Sequence, residues 1–346
     1  MNTTNSLNHS RRIITEGYHG YNLKFSPQYN FIALAGAENF GIKGKGSVFI
    51  YDLFKPNPLV QRYLYSDAIF DVSWSKVDPS LILTGSGDGC VQLLLPCCRI
   101  HEKEISSIEF FAFDQEYFTS SSWDSKVILN SFSSQTPICV MESGSLSMVY
   151  EAKWSPVRER CLASVEANGN AFVWSPFNSD RPNIVLPNVG AEILSCDWSH
   201  SDPNYLATAC TGAIVHSWDL RFPNKPLLEL MGHENAIRKI RFNPFLTDEV
   251  ATVSYDFTTR LWNIASGLEI SCVKSHTEFV YGVEFSLCTP GMMADCSWDQ
   301  TLQVYEIGPH KYLQQNSRPL PIASKPFPFS SQNTFASKPL PPIPNK

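Results

Sequence analysis

No stretch of the 346-residue sequence comes near the roughly 18 consecutive apolar residues that a membrane-spanning helix requires. The opening segment, MNTTNSLNHSRRII, has no apolar core and is not expected to be a secretory leader. Charged residues are scarce at 17%, and acids outnumber bases to give a formal net charge of −6. Nucleic-acid binding needs a dense Lys/Arg surface to neutralise phosphates, so that class is disfavoured. Ten cysteines are present without any repeated C-x-x-C spacing, and they read as reduced, mostly buried thiols. Catalytic signatures are missing too. There is no nucleophile elbow, and GIKGKGS (Gly41 to Ser47) lacks the Lys-Ser/Thr ending of a phosphate-cradling loop. Cys97, Cys98 and His101 are close together, but three irregularly spaced ligands do not make a metal site. No enzyme activity, cofactor or metal is expected.

What is present is repetition. Phe25, Trp74, Phe110, Trp154, Trp198, Phe242 and Phe285 each end a similar phrase, and their spacings are 49, 36, 44, 44, 44 and 43 residues. A second series, Tyr51, Leu94, Asn130, Trp174, Trp218, Trp262 and Tyr305, runs at 43, 36, 44, 44, 44 and 43. Around each anchor apolar residues alternate with period two, and Gly, Pro, Asn and Asp interrupt at short intervals, the pattern of short antiparallel strands. A repeat of roughly 40–45 residues with a Trp-Asp ending resembles a WD40 blade. The SWD words at 122–124 and 297–299 are then the same turn in blades three and seven. One such sheet cannot bury both faces, whereas seven arranged radially close a ring. The expected fold is all-β, a seven-bladed WD40 β-propeller over residues 11–307. A flexible leader (1–10) would precede it and a disordered Pro-rich tail (308–346) would follow.

In blade six the sequence offers His233, Ser254, Asp256 and Trp262, which in WD40 blades form a buried hydrogen-bond chain from Trp through Ser and His to Asp. Blade seven keeps His276, Ser297 and Asp299 with Tyr305 in place of Trp; elsewhere Asp gives way to Asn168 or Gly212, so most blades are expected to rely on packing. These residues read as structural, not catalytic. The last repeat stops after its third strand, so the segment around Ile13 and Ile14 is expected to complete blade seven. From Leu94 to Phe110 the chain has only 16 residues, too few for a full outer strand and its connection. Blade two is therefore expected to lack its fourth strand, unless a piece of the sequence is missing there.

The tail holds nine prolines, five Lys/Arg and no acid. Its end, KPLPPIPNK, spaces Lys338, Pro341 and Pro344 like an SH3 ligand, though a plain solvated extension is the simpler reading.

In the WD40 pattern, three kinds of position face the channel mouth: those four and six residues before each anchor, and the residue before each turn Asp. Here they include His19, Tyr21, Phe70, Glu104, Trp123, Tyr150, Glu192, Leu194, Arg238, Tyr255, Phe279, Tyr281 and Trp298. Aromatic rings with carboxylates between them suit an amphipathic helix carrying a few cations.

Longer phrases point to one family. EGYHGYNLKFSP (16–27), IFDVSWS (69–75), AEILSCDWS (191–199), AIRKIRFNPF (236–245), SYDFTTRLWN (254–263), HTEFVYGVEFS (276–286) and ADCSWDQTLQVY (294–305) resemble the cytosolic receptors for type-2 peroxisomal targeting signals, the peroxin-7 family. The resemblance spans about residues 14–307 and is weakest in repeats two to four. It implies a receptor shuttling between cytosol and peroxisome. Such a receptor binds an N-terminal helical signal, R/K-L/V/I-x5-H/Q-L/A, on matrix enzymes such as thiolase. A co-receptor and a docking complex at the peroxisomal membrane would be further partners. The resemblance also implies that Glu104 and Glu192 pair with the signal's Arg or Lys. A competing word, WDLR (218–221), matches propellers that deliver substrates to cullin-type ubiquitin ligases.

Overall fold

The computed structural model describes residues 7–93, 97–134 and 136–308. The chain forms seven four-stranded antiparallel sheets. Each sheet buries one face against the sheet before it and the other against the sheet after it. Apolar clusters accordingly fill the gaps between blades, one of them joining blades four and five through Val165, Val173, Ile193, Trp198 and Trp218. Another joins blades seven and one through Leu23, Phe25, Ile32, Leu302 and Val304. Trp174, Trp198, Trp218, Trp262 and Tyr305 are among the largest fully buried side chains, so the two repeated series mark core positions. Leu94, the second-series residue of blade two, lies outside the described residues, as do 1–6 and the Pro-rich tail from 309 on.

The ring closes as a clasp. Leu7–Ile14 pairs antiparallel with Thr301–Ile307 and becomes the outer strand of blade seven, beginning four residues ahead of Arg11. Arg11 sends its guanidinium to the carbonyls of Leu53 (2.7 Å), Lys55 (2.6 Å) and Pro56 (2.8 Å), which ties this strand to blade one.

Blade two departs from expectation. Cys97–Arg99 pairs with Cys90–Leu93 as a fourth strand, so the blade is complete and its outer strand is only short. His101 then enters blade three, where it meets Asp124 (2.9 Å) and Ser120 (2.8 Å). That engagement is structural, and it gives blade three a His–Asp network like those of blades six and seven.

The hydrogen-bond chain of blade six also needs correction. Trp262 Nε1 donates to Thr252 Oγ1 (2.8 Å), not to Ser254, and the same hydroxyl meets His233 Nε2 (2.7 Å). His233 Nδ1 faces Asp256 at 2.7 Å. Val250 is the residue opposite Trp262 in the register, so Thr252 is its diagonal neighbour, while Ser254 lies a further step along the strand. Ser254 instead donates to the Asn235 carbonyl and accepts the Asp256 N–H, bracing the turn. In blades four and five the same indole-to-hydroxyl bond runs from Trp174 to Ser164 and from Trp218 to Thr208. Blade seven shifts likewise: His276 Nε2 meets Asp295 (2.8 Å), not Ser297, and Tyr305 pairs with Ser275 (2.6 Å).

Inner strands present unpaired N–H groups to the axis, and side chains of the preceding blade satisfy many of them. Asp71 and Ser73 accept from Ile108 and Phe110 (2.8 and 3.0 Å). Ser107 and Glu109 accept from Ala152 and Trp154 (2.9 and 2.8 Å). Ser195 and Asp197 accept from Ile240 and Phe242 (3.2 and 2.7 Å). Near the anchors the axial charges alternate in sign, so that Lys24 pairs with Glu284 and Lys153 with Glu109. Glu151 is held by both Arg241 (2.7 Å) and Lys239 (2.9 Å). These buried charges thereby have opposite neighbours, which offset the cost of their desolvation. A cavity of about 130 Å³ remains at this end of the channel.

Candidate functional site

Every inner strand carries a register shift at the fourth residue before its anchor: Tyr21, Phe70, Ser106, Tyr150, Leu194, Arg238 and Tyr281. A β-bulge inserts one residue and re-aims its side chain. Repeated seven times, it brings these side chains into a ring at the upper mouth of the channel, the end where inner strands begin.

Contacts run around that ring from blade to blade. Tyr21 packs on Phe70 (4.8 Å between centroids) and on Tyr281 (5.0 Å), and Phe70 stacks with Trp123 (6.3 Å). Tyr281 stacks on Trp298 (4.6 Å), which touches Phe279 (5.5 Å), which in turn packs on Tyr255 (4.5 Å). The hydroxyls of Tyr255 and Tyr281 are 3.1 Å apart. Arg238 lies 5.0 Å over the Tyr281 ring and donates to the Leu194 carbonyl. Apart from Tyr150 in blade four, the predicted aromatic positions form one continuous arc over blades six, seven, one, two and three.

The acids sit beyond the arc. Tyr150 donates to the Glu192 carboxylate at 3.0 Å, and burial, followed by that negative charge, pushes its own pKa up to about 12. Glu192 is exposed. Glu104 is half-buried, and its carboxylate has no hydrogen-bond or ion-pair partner among the described residues, while its carbonyl accepts the Trp123 N–H (3.1 Å). A free carboxylate beside aromatic faces is suited to an incoming cation.

Not every expected position faces solvent. His19, Tyr21 and Leu194 are only 6%, 8% and 5% exposed, so they support the surface from beneath. His19 is pinned by the Trp298 carbonyl (2.5 Å), and its ring stacks on Phe40 at 3.9 Å. Phe40 escaped the sequence reading because it lies in a long turn outside the repeat register, though the length of that turn was a visible signal. Phe257, 5.9 Å from Phe279, is a second addition. The WDLR word lies at the opposite, lower end of blade five, where Arg221 is paired with Asp219 at 2.8 Å.

Comparison with known proteins agrees with this architecture. Residues 224–263, which take in the outer strand of blade five and the first three strands of blade six, match the WD domain, G-beta repeat. The chain is 33% identical to the peroxisomal targeting signal 2 receptor of Mus musculus over 86% of its own length and 96% of the relative's. Against the receptor of the same name from Homo sapiens identity is 35%, over 79% of this chain and 88% of that one. Against that of Saccharomyces cerevisiae it is 25%, over 84% and 97%. With the bulged aromatic mouth in place and likeness running over nearly the whole propeller, the chain belongs to the family of peroxisomal targeting signal 2 receptors.

Proposed function

We propose that this protein is an import receptor that holds the N-terminal type-2 targeting signal of peroxisomal matrix proteins on its upper face. The observation that carries this reading is the pairing, at one channel mouth, of an aromatic arc with the unengaged Glu104 and the exposed Glu192. An amphipathic signal helix lays its apolar side on the arc and directs its Arg or Lys toward these carboxylates. Arg238, inside the arc, repels the ligand cation and confines it to the acidic sector. The protein acts by binding, not catalysis. Cargo such as thiolase, a co-receptor that joins the loaded complex, and a docking complex at the peroxisomal membrane complete the scheme, with the receptor shuttling between cytosol and peroxisome.

The test is a charge reversal. Glu104→Arg is expected to abolish pull-down of a fluorescent fusion bearing only a type-2 signal, with little change in melting temperature because the Glu104 carboxylate bonds no other group among the described residues. Undiminished capture by that variant would remove Glu104 from the site.

A further inference from the structure

The turn between the second and third strands of blade one stands apart from its counterparts. In blade seven it spans Trp298–Gln300, whereas in blade one it runs from Glu38 to Lys45. Asn39, Phe40 and Gly41 follow one another at φ of 47°, 55° and 67°. A left-handed backbone is unfavourable for a residue with a bulky side chain and persists only where surroundings impose it. Here they do. The Glu38 carboxylate accepts the Tyr18 hydroxyl (2.8 Å) and the Lys45 N–H (2.9 Å), and Tyr21 donates its hydroxyl to the Phe40 carbonyl (2.7 Å). A Cβ added at Gly41 would lie 2.6 Å from the Tyr21 hydroxyl, so the turn rests directly on the arc.

This support holds two apolar side chains up to solvent. Phe40, stacked on His19 and 5.3 Å from Trp298, is 44% exposed, and Ile42 is 80% exposed. Lys43 and Lys45 flank them and are exposed. Lys43 and Lys45 thus set exposed cations on this turn, whose own Glu38 carboxylate is engaged by Tyr18 and the Lys45 N–H, while Glu104 and Glu192 lie on blades three and five.

We propose that Phe40 and Ile42 form an apolar grip for the C-terminal end of the signal helix, so that this turn fixes which way round the ligand lies. The proposal rests on reading the upper face as the type-2 signal site. A ligand cation at the first position is drawn to Glu104 and Glu192 and kept off blade one by Lys43 and Lys45. The negative end of the helix dipole is favoured beside those same lysines. A nine-residue helix is about 13 Å long, so its two ends lie over different blades. Its last apolar residue then meets Phe40 and Ile42.

Fluorescence anisotropy of a labelled synthetic peptide carrying the motif R-L-x5-H-L, titrated with the full chain, tests this. Ile42→Asp and Phe40→Ala are each expected to weaken binding about tenfold, the loss of one apolar anchor. A peptide with its final Leu replaced by Ser is expected to be nearly indifferent to either variant. Val77→Asp, at a 73% exposed position on the lower face, is the control that leaves binding unchanged. Because Ile42 touches so little, Ile42→Asp keeps the question open to test even if Phe40→Ala folds poorly. Wild-type affinity in Ile42→Asp would overturn the grip alone. Failure of the wild-type chain to bind the parent peptide would overturn the receptor reading and the grip with it.

Discussion

Two histidines at equivalent places show how one neighbouring residue changes what a ring nitrogen meets. In blade six Asp256 fixes His233 Nδ1 as a donor, which leaves Nε2 to accept the Thr252 hydroxyl. In blade seven the hydroxyl is replaced by Asp295, so His276 lies between two carboxylates, at 2.8 and 2.9 Å. Both ring nitrogens must then donate. Burial works against the charge, but Asp295 and Asp299 overcome it and hold the His276 pKa at about 9, up from 6.5. A raised folded-state pKa means that the stabilisation is fully present below about pH 6.5 and is lost as pH rises through 9. Asp295→Asn is expected to lower the melting temperature most near pH 6, with the gap to wild type narrowing above pH 9. A gap independent of pH would argue against a charged His276. The residue types of these networks were legible in the sequence, and their partners were not. Choosing between Thr252 and Ser254 requires the cross-strand diagonal, which spacing alone does not reveal.

At the scale of the element, the clasp strand is the part most open to test. It is the first described segment of the chain and must find Thr301–Ile307, almost three hundred residues away, to close the ring. Apart from its backbone ladder, its side-chain ties include Ile13 in the core between blades seven and one, and the three carbonyl bonds of Arg11. Arg11→Ala leaves the Leu53 carbonyl without its partner and loosens blade seven from blade one, at a cost of about 1–3 kcal/mol. Thermal unfolding of this variant against wild type is the measurement, and an unchanged midpoint would show that the strand alone suffices. The clasp could be anticipated because a seventh repeat ending after three strands must borrow a fourth. The short outer strand of blade two could not, since three residues, Cys97–Arg99, are too few to display any alternation.

For the whole molecule, seven blades could be counted from the sequence because the anchor spacing is a physical unit: one sheet, its turns and one core layer. The ring of bulges recurs in the same register, and the aromatic positions counted from the anchors, Tyr150 apart, touch one another at the mouth. Burial did not follow from it. Whether Tyr21 faces ligand or supports Phe40 depends on a turn that belongs to no repeat. The two faces of the ring are unlike. The lower channel is lined with ion pairs that neutralise one another, while the upper mouth carries aromatic rings and carboxylates. Hydrogen–deuterium exchange of the full chain, with and without a synthetic type-2 signal peptide, tests this most directly. Protection is expected on the upper face, in segments around residues 38–45, 100–106, 123–125, 188–194 and 279–282, with the loops of the lower face unchanged. Protection confined to the lower face, or to the Arg221 corner of blade five, would contradict the account.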